Sequence, residues 1–340
     1  MQKLFLKCCL NISIIFLCIV LHNPASASEE GPVWLLQIEN DYFAWLTNTD
    51  RHYTSGIRLL RLSPPTDLPR WVDAITGVPE SADPIQRWAF SIGHSMFTPD
   101  DTGETALIPD DRPYAGWAYF GFSVYNEYLR ERGAGRQDVF AVELGIVGPS
   151  ALGEQVQDAH HDLVGRGSAK GWDNQLSDEP GLHLIFERKW RSASVTPTPV
   201  DALEGDIVPH IGISLGNVIT EFGVGATLRV GRHLAADFGP PRIRPGLPGS
   251  DGYKRENALD WYLFFGPEVR YVARNIFLDG NTWKDSHSVD RRPFVLDTQV
   301  GLALLFGGAR ITYTHVVMSP EFNEQREWDQ FGAITASWKF

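Results

Sequence analysis

Cysteine is absent from the chain after residue 18, and its three cysteines all lie within residues 1–27. Those residues have the form of an export signal, because two lysines precede an apolar run at residues 12–21, and Ala25-Ser26-Ala27 follows as an A-x-A cleavage site. We therefore predict a cleaved signal peptide over residues 1–27 and a mature chain, residues 28–340, without thiols. A secreted domain held together by disulfides is excluded.

Long hydrophobic runs are also lacking. The apolar run of the signal, residues 12–21, is too short for a membrane-spanning helix. No later apolar segment approaches the length of a spanning helix either. The mean hydropathy is −0.18. These features exclude a helical membrane protein.

Basic residues are few, with 30 Lys and Arg against 42 Asp and Glu and a formal net charge of −12. The signal contains two lysines and no acidic residue, so its removal takes the charge from −12 to −14. This balance argues against nucleic acid as a partner, whereas surplus carboxylates suit divalent cations.

The pattern that is present is alternation with a period of two. In the last twelve residues, DQFGAITASWKF, every second residue from Gly332 to Phe340 is apolar or small. A final strand that ends on an aromatic residue resembles the terminal strand of outer-membrane barrels. Eleven tryptophans are available for the aromatic girdles that such barrels place at both membrane interfaces.

About twelve segments show this alternation. An even number of long amphipathic strands is what a closed barrel needs, because lipid cannot satisfy the open edge of a sheet. We predict an all-β fold, a transmembrane antiparallel barrel of about twelve strands in the bacterial outer membrane, as a single domain over residues 28–340. A soluble β-sandwich is the alternative. The segments lie near 33–43, 53–62, 86–97, 114–128, 137–147, 181–190, 206–215, 222–232, 259–273, 293–306, 309–318 and 328–340.

Residues 149–180 do not alternate. Ser150 is a candidate helix cap, and Gly165 a candidate stop. We predict a short helix near residues 151–164, in a loop or over the barrel mouth, which carries His160 and His161. Four apolar residues follow at helical spacing between the cap and the stop: Leu152, Val156, Ala159 and Leu163.

Polar residues gather where the first two predicted strands meet, in NDYFAWLTNTDRHYTSG (40–56). Asn40, Asp41 and Thr54 offer an amide, a carboxylate and a hydroxyl, which suit a hard cation and an oxyanion. Asn40 and Asp41 lie on opposite faces of a regular strand, so both reach one site only where the chain bends or bulges. The alternative is a polar barrel rim without function. Next to these groups His161 suits a general base, although a loop histidine is more often merely solvated.

Two rival functions use other residues. A serine phospholipase is suggested by His94-Ser95, although adjacent strand residues face opposite sides. The segment Gly212 to Gly216 matches G-x-S-x-G but lies within alternating strand sequence, where a nucleophile elbow does not form. The second rival is a barrel without enzymatic activity, a pore or a scaffold.

Seven motifs in this order carry a resemblance to a known family: IENDYF, DRHYTSGIRL, MFTPDD, DDRPYAGW, GPSALGEQVQDAHHDLVG, GWDNQLSDEPG and ARNIFLDGNT. The chain resembles the outer-membrane lipid A 3′-O-deacylase family, LpxR and its relatives, over nearly all of its mature length. The resemblance implies a twelve-stranded barrel with an active site inside, near the outer leaflet. It also implies removal of the 3′-linked acyloxyacyl group of lipid A with calcium as cofactor.

The resemblance also implies roles for particular residues. The Asn-Asp pair of the family falls on Asn40 and Asp41, with Asp41 and Asn40 at the metal, and its threonine falls on Thr54. Its histidine, in Q-x-x-x-H, falls on His161, so that Asn40, Thr54 and His161 are the expected catalytic residues. Two arginines are expected either to grip lipid A phosphates or to form ion pairs in the lumen: Arg51 and Arg112.

The sequence departs from the family pattern at two positions. The glutamate expected six residues after the histidine, at the calcium site, is Gly167 here, and Asp173 and Glu179 are the candidates to replace it. The basic residue expected before the Asp-Arg pair is also absent, because Pro109 and Asp110 precede Asp111.

Overall fold

In the described part of the chain, twelve strands form the fold, with three α-helices in the loops. In the computed structural model of the protein, the described residues are 31–44, 52–164, 167–194, 203–240, 259–306 and 308–339. The signal predicted over residues 1–27 lies outside them. The strands β1 to β12 are Val33–Asn40, His52–Leu62, Ile85–Thr98, Ala115–Leu129, Gly135–Val147, Glu179–Arg191, Glu204–Gly216, Ile219–Gly231, Leu259–Asn275, Phe294–Phe306, Ala309–Met318 and Asp329–Lys339. The helices are α1, Arg70–Thr76, α2, Gly153–Val164, and α3, Ile276–Asp279.

The strands close into one barrel. Each strand pairs antiparallel with its sequence neighbours, and β1 pairs with β12 from Val33 opposite Lys339 to Asn40 opposite Gly332. Both described ends of the chain therefore lie at one end of the barrel, which we call the terminal end. The opposite end, where β1 finishes at Asn40, is called the site end. The predicted all-β, twelve-stranded fold is confirmed.

An apolar belt surrounds the wall because side chains alternate along each strand. In β3, Phe90 and Ile92 are exposed on the outside, whereas Ala89 and Ser91 are buried on the lumen side. Many outward residues of the other strands are exposed and apolar as well, including Phe120 and Leu144. A contiguous apolar surface of this kind fits lipid. No helix in the described ranges is long and apolar enough to cross a membrane.

Two details of the predicted elements are wrong. The first predicted strand, residues 33–43, ends at Asn40, and Asp41–Phe43 form a 3-10 turn instead. Ser150 does not cap a helix, because its backbone nitrogen and its hydroxyl each lie 2.7 Å from the Asp178 carboxylate. A separate 3-10 turn, Pro149–Ala151, comes before α2. Gly165, the predicted stop, lies outside the described residues.

The lumen at the site end is filled by side chains. The helix α3 buries Ile276, Phe277 and Leu278 completely. Phe277 stacks on Phe97 of β3 with ring centroids 3.8 Å apart. The cavity that these two rings help to line is about 40 Å³, room for about one water molecule.

The terminal end is closed by a loop segment that folds into the barrel. Its 3-10 turn, Leu234–Ala236, is followed by Asp237, whose carboxylate pairs with Arg229 of β8 and with Arg310 of β11, the latter at 3.0 Å. The hydroxyl of Tyr262 donates to the same carboxylate at 2.9 Å. Burial by itself raises the pKa of Asp237, but the two guanidinium groups outweigh it and hold this pKa below its usual range. Side chains thus occupy the lumen at both ends of the described part of the barrel.

Candidate active site

Asn40 belongs to the outer face of the wall. Along β1, Gln37 and Glu39 hydrogen-bond to each other on the lumen side, so Ile38 and Asn40 point outward by alternation. The resemblance led us to expect an active site inside the barrel. That expectation is wrong for Asn40, which lies on the lipid-facing side of the wall yet is buried beneath the loops of the site end.

A β-bulge brings Thr54 to Asn40. The pairing of β2 with β3 shifts register between Tyr53 and Ser55, which leaves Thr54 as the extra residue. The amide Nδ2 of Asn40 donates to the Thr54 carbonyl oxygen at 3.2 Å. The predicted proximity of these two residues is therefore present, although the bulge lies in the second strand rather than between Asn40 and Asp41.

Thr98, the last residue of β3, was missed by the sequence analysis. Its hydroxyl lies 2.7 Å from the Thr54 hydroxyl, and it is fully buried. Thr98 lies on the outer face of β3, on the same row as Phe90 and Ile92. The motif MFTPDD contained the residue, but no spacing in the sequence indicates a contact between residues 44 positions apart.

Asp41 is buried directly beyond Asn40 in the 3-10 turn. Its backbone carbonyl accepts the Ala44 nitrogen at 3.0 Å, and the turn is attached to β11 where the Tyr313 hydroxyl donates to the Phe43 carbonyl at 2.8 Å. The turn thus provides the bend that places Asn40 and Asp41 side by side at the rim of the wall.

His161 is buried near the end of α2 and has a defined tautomer. Its Nδ1 lies 2.7 Å from the Gly167 carbonyl oxygen. Because a carbonyl only accepts hydrogen bonds, Nδ1 carries the proton and Nε2 is the basic nitrogen. This is the state that a general base requires.

The helix α2 turns a polar face to the wall, the opposite of what its apolar spacing suggests. Gly153, Gln157 and His161 recur every four residues and are buried. Leu152, just before the helix, and Val156 are instead 54% and 39% exposed. The apolar stripe therefore does not hold the helix to the barrel but faces outward beside the wall.

Small residues allow α2 to lie directly on the outside of β4. A Cβ atom added to Gly116 of β4 would come within 3.1 Å of the Ala151 Cβ and 3.2 Å of the Gly153 nitrogen. One added to Gly153 would approach the Trp172 ring to 2.5 Å. Larger residues at either glycine would push the helix away from the wall.

A buried cluster connects His161 to Thr98 along the outer surface. One helical turn before His161, the Gln157 side chain accepts the Trp172 indole N–H at 2.7 Å. Trp172 packs with Tyr114, Ala169 and Met96, and burial raises the pKa of Tyr114 to about 12. Met96 precedes Thr98 by two residues on the same outward row of β3. His161 on α2 and the pair Asn40 and Thr54 on the strands thus lie on the same, outer side of the wall.

Arg112 is not a surface arginine. It is fully buried at the mouth of the lumen, where Nη2 pairs with Glu321 at 2.7 Å and the guanidinium lies over Phe97 and Phe322. This is the ion-pair arrangement that the sequence analysis gave as the alternative to a phosphate contact. Arg51 lies outside the described residues.

His52, to which the sequence analysis gave no role, lies between two carboxylates. Its Nδ1 is 2.7 Å from Asp329 and its Nε2 is 3.6 Å from Asp111. It lines an acidic cavity of about 320 Å³ at the site end. The other acidic residues around that cavity are Asp100, Asp110, Glu324 and Glu327.

The side-chain oxygen atoms at the site are of the kinds that bind calcium. Asp41 offers a carboxylate and Asn40 an amide oxygen, and calcium sites also draw ligands from backbone carbonyls and water. Among the described residues there is no group of three or more acidic, histidine or cysteine side chains arranged to hold a metal ion. A calcium ion here would therefore depend on these two side chains together with backbone oxygens or water.

The two candidate substitutes for the missing glutamate have different settings. Glu179, the first residue of β6, accepts hydrogen bonds from Asn217 at 2.9 Å, from Asn281 at 3.1 Å and from the Thr282 nitrogen at 2.7 Å, so it links two loops to the strand. Asp173 is exposed. At Gly167 itself, the backbone carbonyl orients His161.

The two residues of the phospholipase rival are separated by the wall. His94, on the outer row, lies 2.9 Å from the Ala151 carbonyl, whereas Ser95 is buried on the lumen side. Ser214 of the G-x-S-x-G match is buried inside the regular strand β7. Neither serine has the setting of an activated nucleophile.

Fold and site together describe an outer-membrane barrel with a buried polar site on the lipid-facing side of its wall. The sequence profile of the family described as outer membrane protein LpxR matches residues 11–340, and the chain belongs to this family.

The fold is similar to that of a solved barrel protein. LpxR from Salmonella typhimurium is similar with a TM-score of 0.73 and 16% identity, over 91% of this chain and 100% of that chain. The β domain of the Bordetella autotransporter BrkA gives a TM-score of 0.47 at 10% identity, over 91% of this chain and 99% of that chain. The comparison with curated proteins gave no match.

Proposed function

We propose that this protein is an outer-membrane lipid A deacylase that hydrolyses the ester of the 3′-linked acyloxyacyl group, with calcium as cofactor. One observation carries the proposal: His161, Asn40 and Thr54 lie buried on the side of the wall that faces lipid. Membership of the LpxR family supports the same substrate class. A lipid ester reaches such a site from the leaflet without entering the lumen.

His161 is the general base of the proposed reaction. Its Nε2 takes a proton from a water molecule, whose oxygen attacks the ester carbonyl carbon. The tetrahedral intermediate collapses with cleavage of the bond between the acyl carbon and the ester oxygen. The proton on Nε2 then passes to that oxygen, so the products are a carboxylic acid and a lipid A hydroxyl group.

Thr54 and Asn40 position the reacting groups. The Thr54 hydroxyl, held by Thr98, orients the attacking water or the substrate. Asn40 donates a hydrogen bond from its amide nitrogen to the Thr54 carbonyl, and its amide oxygen is the atom of this side chain that could bind a cation. Asp41 and Asn40 are the side chains that would hold calcium. When bound, the ion supplies polarisation of the ester carbonyl.

The position of α2 fits a lipid substrate. Its wall-facing stripe carries His161, the neighbouring apolar stripe carries Val156, and the remaining face carries Glu154 and Asp158. A helix with an apolar face beside a polar face can lie along a membrane surface with its apolar side toward the acyl chains. The base is thereby held at the level where the ester bonds of a lipid begin.

Mass spectrometry of lipid A tests the proposal. Cells that express the wild type or His161→Ala are grown with calcium and with a chelator. Loss of a 3′ acyloxyacyl group is expected only with the wild type and calcium. His160→Ala is the matched control, because His160 is the neighbouring imidazole on the same helix, and it is expected to act as the wild type does. Unchanged lipid A from a correctly inserted wild-type barrel would refute the proposed substrate.

A further inference from the structure

The side-chain amide of Gln157 has only one possible orientation in its buried setting. It is 1% exposed, and the Trp172 indole nitrogen lies 2.7 Å from Oε1. An indole nitrogen donates and cannot accept, so the amide oxygen must face Trp172. The amide nitrogen of Gln157 therefore points away from Trp172.

That nitrogen is buried and has no hydrogen-bond partner among the described residues. A buried amide N–H without an acceptor loses its hydration and receives nothing in exchange, which is why such groups are rare in folded proteins. Gln155, two residues earlier on the same helix, is exposed to solvent and has no such deficit. The unsatisfied donor of Gln157 points to an acceptor that a ligand supplies.

Gln157 and His161 are neighbours on the helix. Residues four positions apart lie on one face with their Cβ atoms about 5–6 Å apart, and both side chains are buried toward the wall. A donor at one position and a base at the other can flank a single ester group. The base contacts the water, and the donor contacts an oxygen of the ester.

We infer that the Gln157 amide nitrogen donates a hydrogen bond to the carbonyl oxygen of the ester that this site hydrolyses. The inference rests on the proposed function and adds a catalytic residue to it. An N–H group aimed at the carbonyl oxygen stabilises the negative charge that develops there during attack. The same group aimed at the attacking water would withdraw electron density from it, so the carbonyl is the productive acceptor.

Gln157→Glu separates this role from a structural one. The substitution keeps an oxygen for the Trp172 N–H, so packing is retained, but it removes the amide donor and replaces it with an acceptor. Gln155→Glu makes the same chemical change on the exposed face and serves as the matched control. Gln157→Leu removes both hydrogen-bonding groups and reports any need for the Trp172 contact.

The experiment measures kcat and KM of the purified, refolded barrel with calcium, on lipid A and on a phospholipid. Heat-modifiable migration in gels, which reports the folded barrel, is followed for every variant. We expect Gln157→Glu to lower kcat about 100-fold with little change in KM, and Gln155→Glu to match the wild type. We expect Gln157→Leu to lower kcat at least as far.

Each outcome decides something. Equal kcat for Gln157→Glu and Gln155→Glu, with an active wild type, overturns this inference and leaves the proposed function intact. The same holds if Gln157→Glu is active and only Gln157→Leu fails, because Gln157 then serves only to hold Trp172. A folded wild type that hydrolyses neither lipid overturns the proposed function and this inference together.

Discussion

The Nδ1 atom of His161 lies 2.7 Å from the carbonyl oxygen of Gly167, the residue found where the family resemblance leads one to expect a glutamate. The departure from the family pattern therefore does not remove the orientation of the base. A backbone carbonyl fixes the imidazole tautomer as a carboxylate would. What Gly167 cannot supply is a negative charge for the cation.

Gly167→Glu is predicted to strengthen calcium binding. A Cβ atom added at this position meets nothing within 4 Å, so a side chain is accommodated. If the added carboxylate reaches the calcium ion, it raises the number of charged ligands, and we expect half-maximal activity at a calcium concentration about tenfold lower. Calcium titration of hydrolysis measures it, with Gly167→Ala as the control for the backbone change. Equal calcium dependence of the two variants would show that position 167 is remote from the ion.

Thr98→Val is predicted to impair catalysis without unfolding the barrel. The valine keeps the shape of threonine but removes the hydroxyl 2.7 Å from that of Thr54. Small displacements of positioning groups are costly, and we expect kcat to fall about ten- to a hundred-fold. Thr98→Ser, which restores the hydroxyl, should recover most of the activity. If Thr98→Val retains the kcat of the wild type, the contact between the two threonines has no part in catalysis.

Val156→Asp is predicted to weaken action on lipid A in membranes. The Val156 side chain is 39% exposed on the apolar stripe of α2, where a carboxylate would face acyl chains. We expect hydrolysis in vesicles to fall about tenfold and hydrolysis of detergent-dispersed substrate to change little. Gln155→Asp, on the polar side of the helix, is the control. Equal loss in vesicles and in detergent would instead indicate damage to the site.

Asp237→Asn is predicted to destabilise the terminal end of the barrel in a pH-dependent way. The folded-state pKa of Asp237 is lowered, so the carboxylate contributes stability above its unfolded pKa, about 3.9, and loses it as the pH falls through the folded value. Removing one partner of a buried ion pair costs about 3–5 kcal/mol, here against Arg229 and Arg310.

Urea unfolding in vesicles at neutral and at strongly acidic pH measures this difference. The wild type should be more stable than Asp237→Asn at neutral pH, and the gap should shrink in acid. Asp67→Asn, a change at an exposed aspartate in another loop of the same end, should have no effect. A gap that persists undiminished in strong acid would show that the charge of Asp237 is not its source.

The limits of prediction are clearest in α2. Helical spacing predicted a helix near residues 151–164, and the structure has one over Gly153–Val164. The apolar stripe of this helix is not its buried face, because lipid surrounds the wall and competes for apolar surface. The polar stripe with Gln157 and His161 is buried instead. Sequence periodicity shows that two faces differ but not which one meets the barrel.

The sequence by itself determined the closed barrel, its twelve strands and its family. Alternation over ten or more residues is a local property of each strand, and it does not depend on which strand pairs with it. Lipid then permits only a closed sheet, because it cannot satisfy open strand edges. The side of the wall that carries the site was decided by the tertiary structure. One extra residue at Thr54 and one 3-10 turn at Asp41 redirect side chains that strict alternation would separate. Such bends are set by hydrogen bonds between residues far apart in the sequence, as between Thr54 of β2 and Thr98 of the neighbouring strand β3, which no local pattern encodes.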